Sequence, residues 1–161
     1  MYMKKLLLVA IMSVVMISIS ITTKAQTPMS FSVHGGYSWS IGVLGAEAQF
    51  GNIGLAGGWM PSKMPMSGER IHSYSGAVTY YTAKASEEGT SYYISGAYAS
   101  QGFRYEDSWG GAYTSPMTII TGGVKYQYGG VWSRVGVGYG WCDEAGAFAF
   151  EINLGFVLFG N

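Results

Sequence analysis

The chain has 161 residues with nine basic and nine acidic side chains, and charged residues make up only 11% of it. Soluble domains carry roughly 25% charged residues, so a water-exposed surface is difficult to build from this composition. The balanced charge argues against a nucleic-acid-binding protein, which needs a clustered basic patch. Cys142 is the single cysteine, so an internal disulfide is excluded.

Residues 1–25 are predicted to be a cleavable signal peptide. Lys4 and Lys5 precede an apolar stretch at residues 6–21, and residues 23–25 place small side chains at the −3 and −1 positions of a cleavage site. An uncleaved membrane anchor is the alternative, although the apolar stretch is short for one. No cysteine stands at the cleavage point to carry a lipid, which argues against a lipoprotein.

Cleavage would leave one domain at residues 26–161. The loss of Lys4, Lys5 and Lys24 leaves six basic and nine acidic residues, a net charge of −3. This domain has no helical periodicity, and turn-forming residues recur at strand-like spacing. We therefore predict eight strands, in chain order at residues 29–40, 41–50, 53–61, 70–83, 90–103, 116–128, 131–141 and 147–159.

The predicted connections alternate in length. The second, fourth and sixth are short turns at Gly51-Asn52, residues 84–89 and Gly129-Gly130. The other connections lie at residues 61–69, 104–115 and 142–146, and the first two of these are the longest in the chain, whereas the first connection, near Ser40, is too short to identify. Short turns on one side and longer loops on the other are typical of outer-membrane barrels.

The last predicted strand alternates between large apolar residues and small or polar ones, with Phe148, Phe150, Ile152, Leu154, Phe156 and Leu158 in one phase. Successive strand residues point to opposite faces, so one face is apolar. Every charge within a predicted strand interior falls on the other face. That polar face comprises His34, Ser38, Glu47, Gln49, Ser73, Ser75, Thr79, Ser95, Gln101, Thr121, Lys125, Gln127, Arg134, Glu151 and Asn153.

This alternation favours a transmembrane β-barrel with its apolar face toward lipid. A soluble barrel or sandwich, with the apolar face inward, is the alternative. Its solvent surface would consist largely of Gly, Ala and Ser, which protects sheet edges poorly, whereas small residues suit the lining of a narrow barrel. Aromatic residues are expected near the two membrane interfaces, namely Trp39, Trp59, Tyr139 and Trp141 at one and Tyr80, Tyr81, Tyr92, Tyr126, Tyr128 and Phe156 at the other.

The chain after residue 25 resembles the small eight-stranded outer-membrane β-barrel family, which includes OmpX-like and opacity-protein-like barrels and the OmpA transmembrane domain. The resemblance covers the signal peptide, the strand count, the alternation and the stretches at residues 33–37 and 45–50. It implies an antiparallel up-and-down transmembrane β-barrel in the outer membrane of a Gram-negative cell. The partners implied are outer-membrane lipid and, during biogenesis, the barrel assembly machinery.

Four charged residues share the inward phase on four strands: Glu47, Lys125, Arg134 and Glu151. Unpaired charges in a narrow lumen are costly, so we expect mutual ion pairs. These pairs form either a plug that stabilises a closed barrel or a gate on a polar path for small solutes. The plug is favoured because an eight-stranded barrel is just wide enough for its own side chains.

No catalytic, cofactor or metal site is predicted. The glycines at 136, 138 and 140 lack the spacing of a nucleotide-binding loop and a following helix. His34 and His72 are the only histidines, and no nucleophile and base are marked out beside them. We expect His72 to face lipid headgroups. A metal site is not indicated by the spacing of His, Cys and acidic residues.

The predicted loop at residues 104–115 mixes charged and aromatic residues. Arg104, Tyr105, Trp109 and Tyr113 are candidate contacts for an unknown extracellular ligand, because Arg and aromatic side chains are common binding anchors. The overall expectation is a protein with a structural or surface-interaction role in the cell envelope and a plugged interior. A porin-like narrow channel and a secreted soluble β-barrel binding protein are the alternatives.

Overall fold

The computed structural model describes residues 28–63, 70–106, 112–142 and 146–160. The predicted signal peptide at residues 1–25 lies outside these residues. No helix within the described ranges has the length and apolar character needed to cross a membrane.

Eight antiparallel strands close into a barrel, because each strand pairs with its sequence neighbours and β1 pairs with β8. The predicted eight-stranded, antiparallel, up-and-down β-barrel is therefore confirmed. The strands are β1 (Met29–Ser38), β2 (Leu44–Phe50), β3 (Ile53–Lys63), β4 (Arg70–Tyr81), β5 (Gly89–Glu106), β6 (Ala112–Tyr128), β7 (Val131–Trp141) and β8 (Gly146–Gly160).

We call the end of the barrel that carries the β2–β3, β4–β5 and β6–β7 connections the turn end, and the opposite end the loop end. Gly51, Gly129 and Gly130 have φ angles of 55°, 56° and 81° at two-residue turns. These left-handed backbone angles favour glycine. The two tight turns predicted from the sequence, Gly51-Asn52 and Gly129-Gly130, are present at the turn end.

The apolar phase of each strand faces outward and the polar phase faces inward. Along β8, Phe148, Ile152 and Leu158 are 75%, 64% and 60% exposed, whereas Glu151 is fully buried. Most of the polar residues predicted to face inward are buried, and Ser75 is partly exposed. The side chain of Gln101 is not among those that the structure describes. The barrel thus exposes its large apolar side chains and buries its strand charges, the reverse of a soluble protein.

The β5–β6 hairpin is longer than the sequence predicts. Residues 104–115 were expected to form a loop, but β5 continues to Glu106 and β6 begins at Ala112, with Tyr105 paired to Tyr113. The neighbouring strands pair with this hairpin only as far as Ala99 and Thr118. Beyond these positions, β5 and β6 continue to pair with each other as far as Glu106 and Ala112.

The first connection also differs from its prediction. β1 ends at Ser38 instead of residue 40, and β2 begins at Leu44 instead of Ile41. Ile41 is fully buried, because the turn at residues 39–43 folds into the barrel. A Cβ atom at Gly58 would lie 1.7 Å from the Ile41 carbonyl oxygen, so only glycine leaves space for this turn.

Candidate functional site

The four charged residues predicted to line the interior all lie inside the barrel and contact one another. Glu47, Lys125, Arg134 and Glu151 are 1%, 4%, 0% and 0% exposed. Arg134 Nη2 lies 2.8 Å from Glu151 Oε2, and Arg134 Nη1 lies 3.7 Å from Glu47 Oε2. Lys125 Nζ lies 3.5 Å from Glu47 Oε1. The arginine therefore connects the two carboxylates, and the lysine completes the charge balance.

Glu151 accepts hydrogen bonds from four other strands. Its Oε1 accepts the hydroxyl protons of Ser38 and Thr121, both at 3.1 Å. Its Oε2 accepts from the Tyr93 hydroxyl at 2.6 Å and from Arg134 Nε at 2.9 Å. These donors lie on β1, β5, β6 and β7, so one buried carboxylate on β8 connects five of the eight strands.

Glu47 makes the equivalent connection nearer the turn end. The Tyr81 hydroxyl donates to Glu47 Oε2 at 2.7 Å and accepts from Arg134 Nη1 at 3.1 Å. Lys125 donates to Gln49 Oε1 at 3.1 Å in addition to its contact with Glu47. Tyr81 thus bridges an acid and a base, and β4 joins the network that crosses the barrel.

Aromatic rings cover both buried cations. The Arg134 guanidinium carbon lies 3.9 Å from the centre of the Tyr93 ring. Lys125 Nζ lies 4.6 Å from the Tyr81 ring centre and 5.1 Å from the Trp132 ring centre. A cation near an aromatic face is stabilised by the ring quadrupole, and more strongly where water is excluded. The rings therefore compensate part of the lost hydration of the two bases.

Three aromatic members of this site were not predicted to lie inside the barrel. Tyr81 was expected at a membrane interface, but it is 1% exposed and points inward. Tyr93 and Trp132 are also buried, at 6% and 1%, and were not predicted as interior residues. Their phase carried the signal, because each lies two residues from an inward polar position.

An apolar cluster fills the interior between the polar network and the loop end. Met117 and Ile119 precede Thr121 on β6, which runs from the loop end to the turn end, and both are fully buried with Ile41. Ala97, Ala99 and Ala149 pack in the same cluster. The alternation of the strands predicts small or polar residues on the inward face. The cluster instead separates the buried charges from the loop end.

At the turn end, a recess reaches the polar network from outside. It is lined by polar side chains that include Gln49, Lys84, Ser91, Lys125 and Gln127. Lys125 therefore lies between this recess and the buried Glu47.

The remaining predicted residues lie elsewhere. His34 is buried, and its Nε2 is 3.0 Å from the Ile41 carbonyl oxygen, whereas His72 is exposed on the outer surface. Arg104, Tyr105 and Tyr113 lie in the β5–β6 hairpin, and Trp109 lies outside the described residues. Among the described residues, no group of three His, Cys, Asp or Glu side chains could hold a metal ion.

The fold is similar to that of the N-terminal β-barrel domain of Pseudomonas aeruginosa OprF. The TM-score is 0.55 with 15% sequence identity, over 82% of this chain and 98% of the OprF domain. This likeness shows a shared barrel fold. No family model matches the chain, and no curated protein matches it.

Proposed function

We propose that this protein spans the outer membrane as a closed β-barrel. The observation that carries the proposal is the distribution of side chains across the barrel wall. Val137, Phe150 and Leu154 are 62%, 56% and 51% exposed, whereas Arg134 and Glu151 are fully buried. Hydrocarbon suits such an exterior, and every backbone group in a closed barrel can be paired within the membrane.

A secreted soluble barrel fits this distribution poorly. Large apolar side chains would form a continuous exposed surface around the barrel, far larger than the patches of soluble monomers. Contact with outer-membrane lipid explains that surface without an additional partner. The barrel assembly machinery would insert the chain after export, as it does for proteins of this architecture.

Within the envelope, we propose a structural or surface-interaction role, with no catalytic activity. The buried charges are occupied with one another, which supports a plug that stabilises the wall. The β5–β6 hairpin carries Arg104, Tyr105 and Tyr113 at the loop end. If the termini of the barrel face the periplasm, this hairpin faces outward, where it can contact an extracellular ligand.

A narrow solute channel is the second candidate, because the recess at the turn end leads to the charged network. The apolar cluster around Met117 and Ile119 disfavours it, since dry apolar constrictions block ions. Purified, refolded protein in planar bilayers separates the two functions. We expect no stable single-channel currents. Steady currents would contradict the plug and support the channel function.

Cell fractionation combined with heat-modifiability on gels tests the location. Folded barrels migrate differently before and after boiling, so the band in the outer-membrane fraction should shift on heating. The matched control is the detergent-free supernatant, which should contain none of the folded protein. A soluble, folded mature chain in that supernatant would contradict the proposal.

A further inference from the structure

The turn at residues 39–43, which we call the inner turn, forms hydrogen bonds with two strands of the barrel wall. Val43 N donates to the Trp59 carbonyl oxygen on β3 at 2.9 Å. His34 Nε2 on β1 lies 3.0 Å from the Ile41 carbonyl oxygen. Backbone groups that leave the solvent need such partners, so these bonds allow the turn to occupy the barrel interior.

The side chain of Ser38 holds the same turn from below. Ser40 N and Ile41 N both donate to Ser38 Oγ at 3.1 Å. The Ser38 hydroxyl itself donates to Glu151 Oε1 at 3.1 Å. An ionised carboxylate can only accept, so the hydroxyl proton points to Glu151 and the lone pairs point to the two amides. One buried oxygen atom therefore joins the inner turn to the charged network.

This arrangement makes the position of the inner turn depend on the Ser38 hydroxyl. Ser40 and Ile41 are both 0% exposed, so their amides depend on a partner within the protein. A buried amide that loses its acceptor is costly, whereas an amide in contact with water is not. Loss of the hydroxyl therefore favours an outward position of the turn, where water can solvate the two amides.

The inner turn also contributes to the apolar layer between the charged network and the loop end. Ile41 packs in one buried cluster with Met117 and Ile119. Withdrawal of the turn would take Ile41 out of this cluster. Because dry apolar constrictions exclude ions, the inward position of the turn contributes to the seal above Glu151.

We propose that the inner turn is a lid over the charged network and that Ser38 is the latch that holds this lid closed. The lid stays inside the barrel while Ser38 bonds to both Glu151 and the turn amides, and it moves outward when that contact is lost. This proposal rests on the plugged interior proposed above, and it identifies the element that closes the plug toward the loop end.

Thiol labelling of the refolded mature chain in detergent micelles tests the latch. Ser40→Cys in a Cys142→Ser background leaves one thiol, which lies in the inner turn. This change alters the contact between Ser40 Oγ and Ser38 Oγ, 3.1 Å apart, and keeps both amide bonds. We expect slow labelling by a charged maleimide, because residue 40 is buried. Adding Ser38→Ala should accelerate labelling about tenfold, the factor for a loss of about one to two hydrogen bonds.

Thr121→Val is the matched control for Ser38→Ala. Thr121 Oγ1 on β6 donates to the same oxygen, Glu151 Oε1, at the same distance of 3.1 Å. The control therefore removes an equivalent donor from the carboxylate without removing the acceptor of the turn amides. Heat-modifiability on gels first establishes that each variant folds. Labelling in Thr121→Val should stay slow. Equal acceleration in both variants would indicate a general loosening of the network and overturn the latch, as would an unchanged rate in Ser38→Ala.

A measurement on the wild-type chain applies even if Ser38→Ala does not fold. Hydrogen exchange followed by NMR should show the amides of Ser40 and Ile41 protected at least about a hundredfold, as in a segment that opens rarely. Exchange at the rate of unstructured amides would overturn the proposal. Single-channel recording separates the lid from the plug. Steady wild-type currents would contradict both, whereas a silent wild type with unprotected amides in the inner turn would contradict the lid alone.

Discussion

Arg134 and Glu151 meet inside the barrel, with Nη2 of the arginine 2.8 Å from Oε2 of the glutamate and neither side chain exposed. Arg134 also contacts Glu47, so its removal leaves two buried carboxylates with fewer donors. Breaking a buried ion pair from one side typically costs about 3–5 kcal/mol, because a charge remains without its partner.

Arg134→Leu should therefore lower the free energy of unfolding by about 3–5 kcal/mol, measured by urea titration of the protein in lipid vesicles. The double variant Arg134→Leu/Glu151→Leu should lose less, because no unpaired charge remains at Glu151. Lys84→Leu on the exposed β4–β5 turn serves as the control and should change stability by less than about 0.5 kcal/mol. An unchanged unfolding midpoint in Arg134→Leu would count against the network as a stabilising plug.

The tyrosine hydroxyls allow a test that changes a single atom. Tyr93→Phe removes the donor to Glu151 but keeps the ring over Arg134, so it isolates the hydrogen bond. We expect a loss of about 1–3 kcal/mol, because a buried carboxylate loses a partner. Tyr81→Phe should act similarly through Glu47.

The outward neighbours of these residues are matched controls. Tyr92→Phe and Tyr80→Phe make the same chemical change on the exposed face, where the two tyrosines are 64% and 51% exposed. Neither control should change unfolding in vesicles by more than about 0.5 kcal/mol. Equal effects of the inward and outward substitutions would contradict a stabilising role of the buried hydrogen bonds to Glu151 and Glu47.

The strand pattern made much of the fold predictable because side-chain alternation is a local property. Phe148 to Leu158 define the two faces of β8 without any information from other strands, and the inward phase places Glu47, Lys125, Arg134 and Glu151 on one side of the wall. The same rule would have placed Tyr93 and Trp132 inside. It also places Tyr81 inside, although Tyr81 was expected at a membrane interface, whereas Tyr93 and Trp132 had been assigned to neither face.

The inward fold of the first connection could not be predicted in this way. Ile41 enters the barrel because Gly58, on another strand, leaves space for its carbonyl group. Its side chain then completes an apolar cluster with Met117 and Ile119, which come from a third strand. These contacts depend on how strands that are distant in the chain align in the closed barrel. The local residue pattern of one strand does not contain that alignment.

An outward charge tests the direction of the apolar face. Val137 is 62% exposed and lies near the middle of β7, whereas Tyr128 is 68% exposed at the turn end. In a bilayer, arginine on the lipid face costs about 2–4 kcal/mol at the midplane and about 0–1 kcal/mol near an interface. Val137→Arg should therefore destabilise the barrel in vesicles much more than Tyr128→Arg. Equal, small effects at both positions would contradict a membrane-spanning wall.

The inward turn can be tested through the glycine that accommodates it. A Cβ atom at Gly58 would lie 1.7 Å from the oxygen and 2.6 Å from the carbon of the Ile41 carbonyl group, so the backbone itself obstructs it. Gly58→Ala should then displace the turn at residues 39–43 and reduce stability in vesicles by at least about 1–3 kcal/mol.

Gly96 is the matched control for Gly58, because a Cβ atom there meets no heavy atom within 4 Å. Gly96→Ala should be neutral or stabilising by up to about 1 kcal/mol, since alanine in a strand loses less conformational freedom on folding. Displacement of the turn would also break the contact between His34 Nε2 and the Ile41 carbonyl oxygen. The imidazole resonances of His34 should therefore shift in Gly58→Ala and remain in place in Gly96→Ala. Coincident His34 spectra and unfolding curves for the two variants would mean that the turn does not occupy the barrel interior.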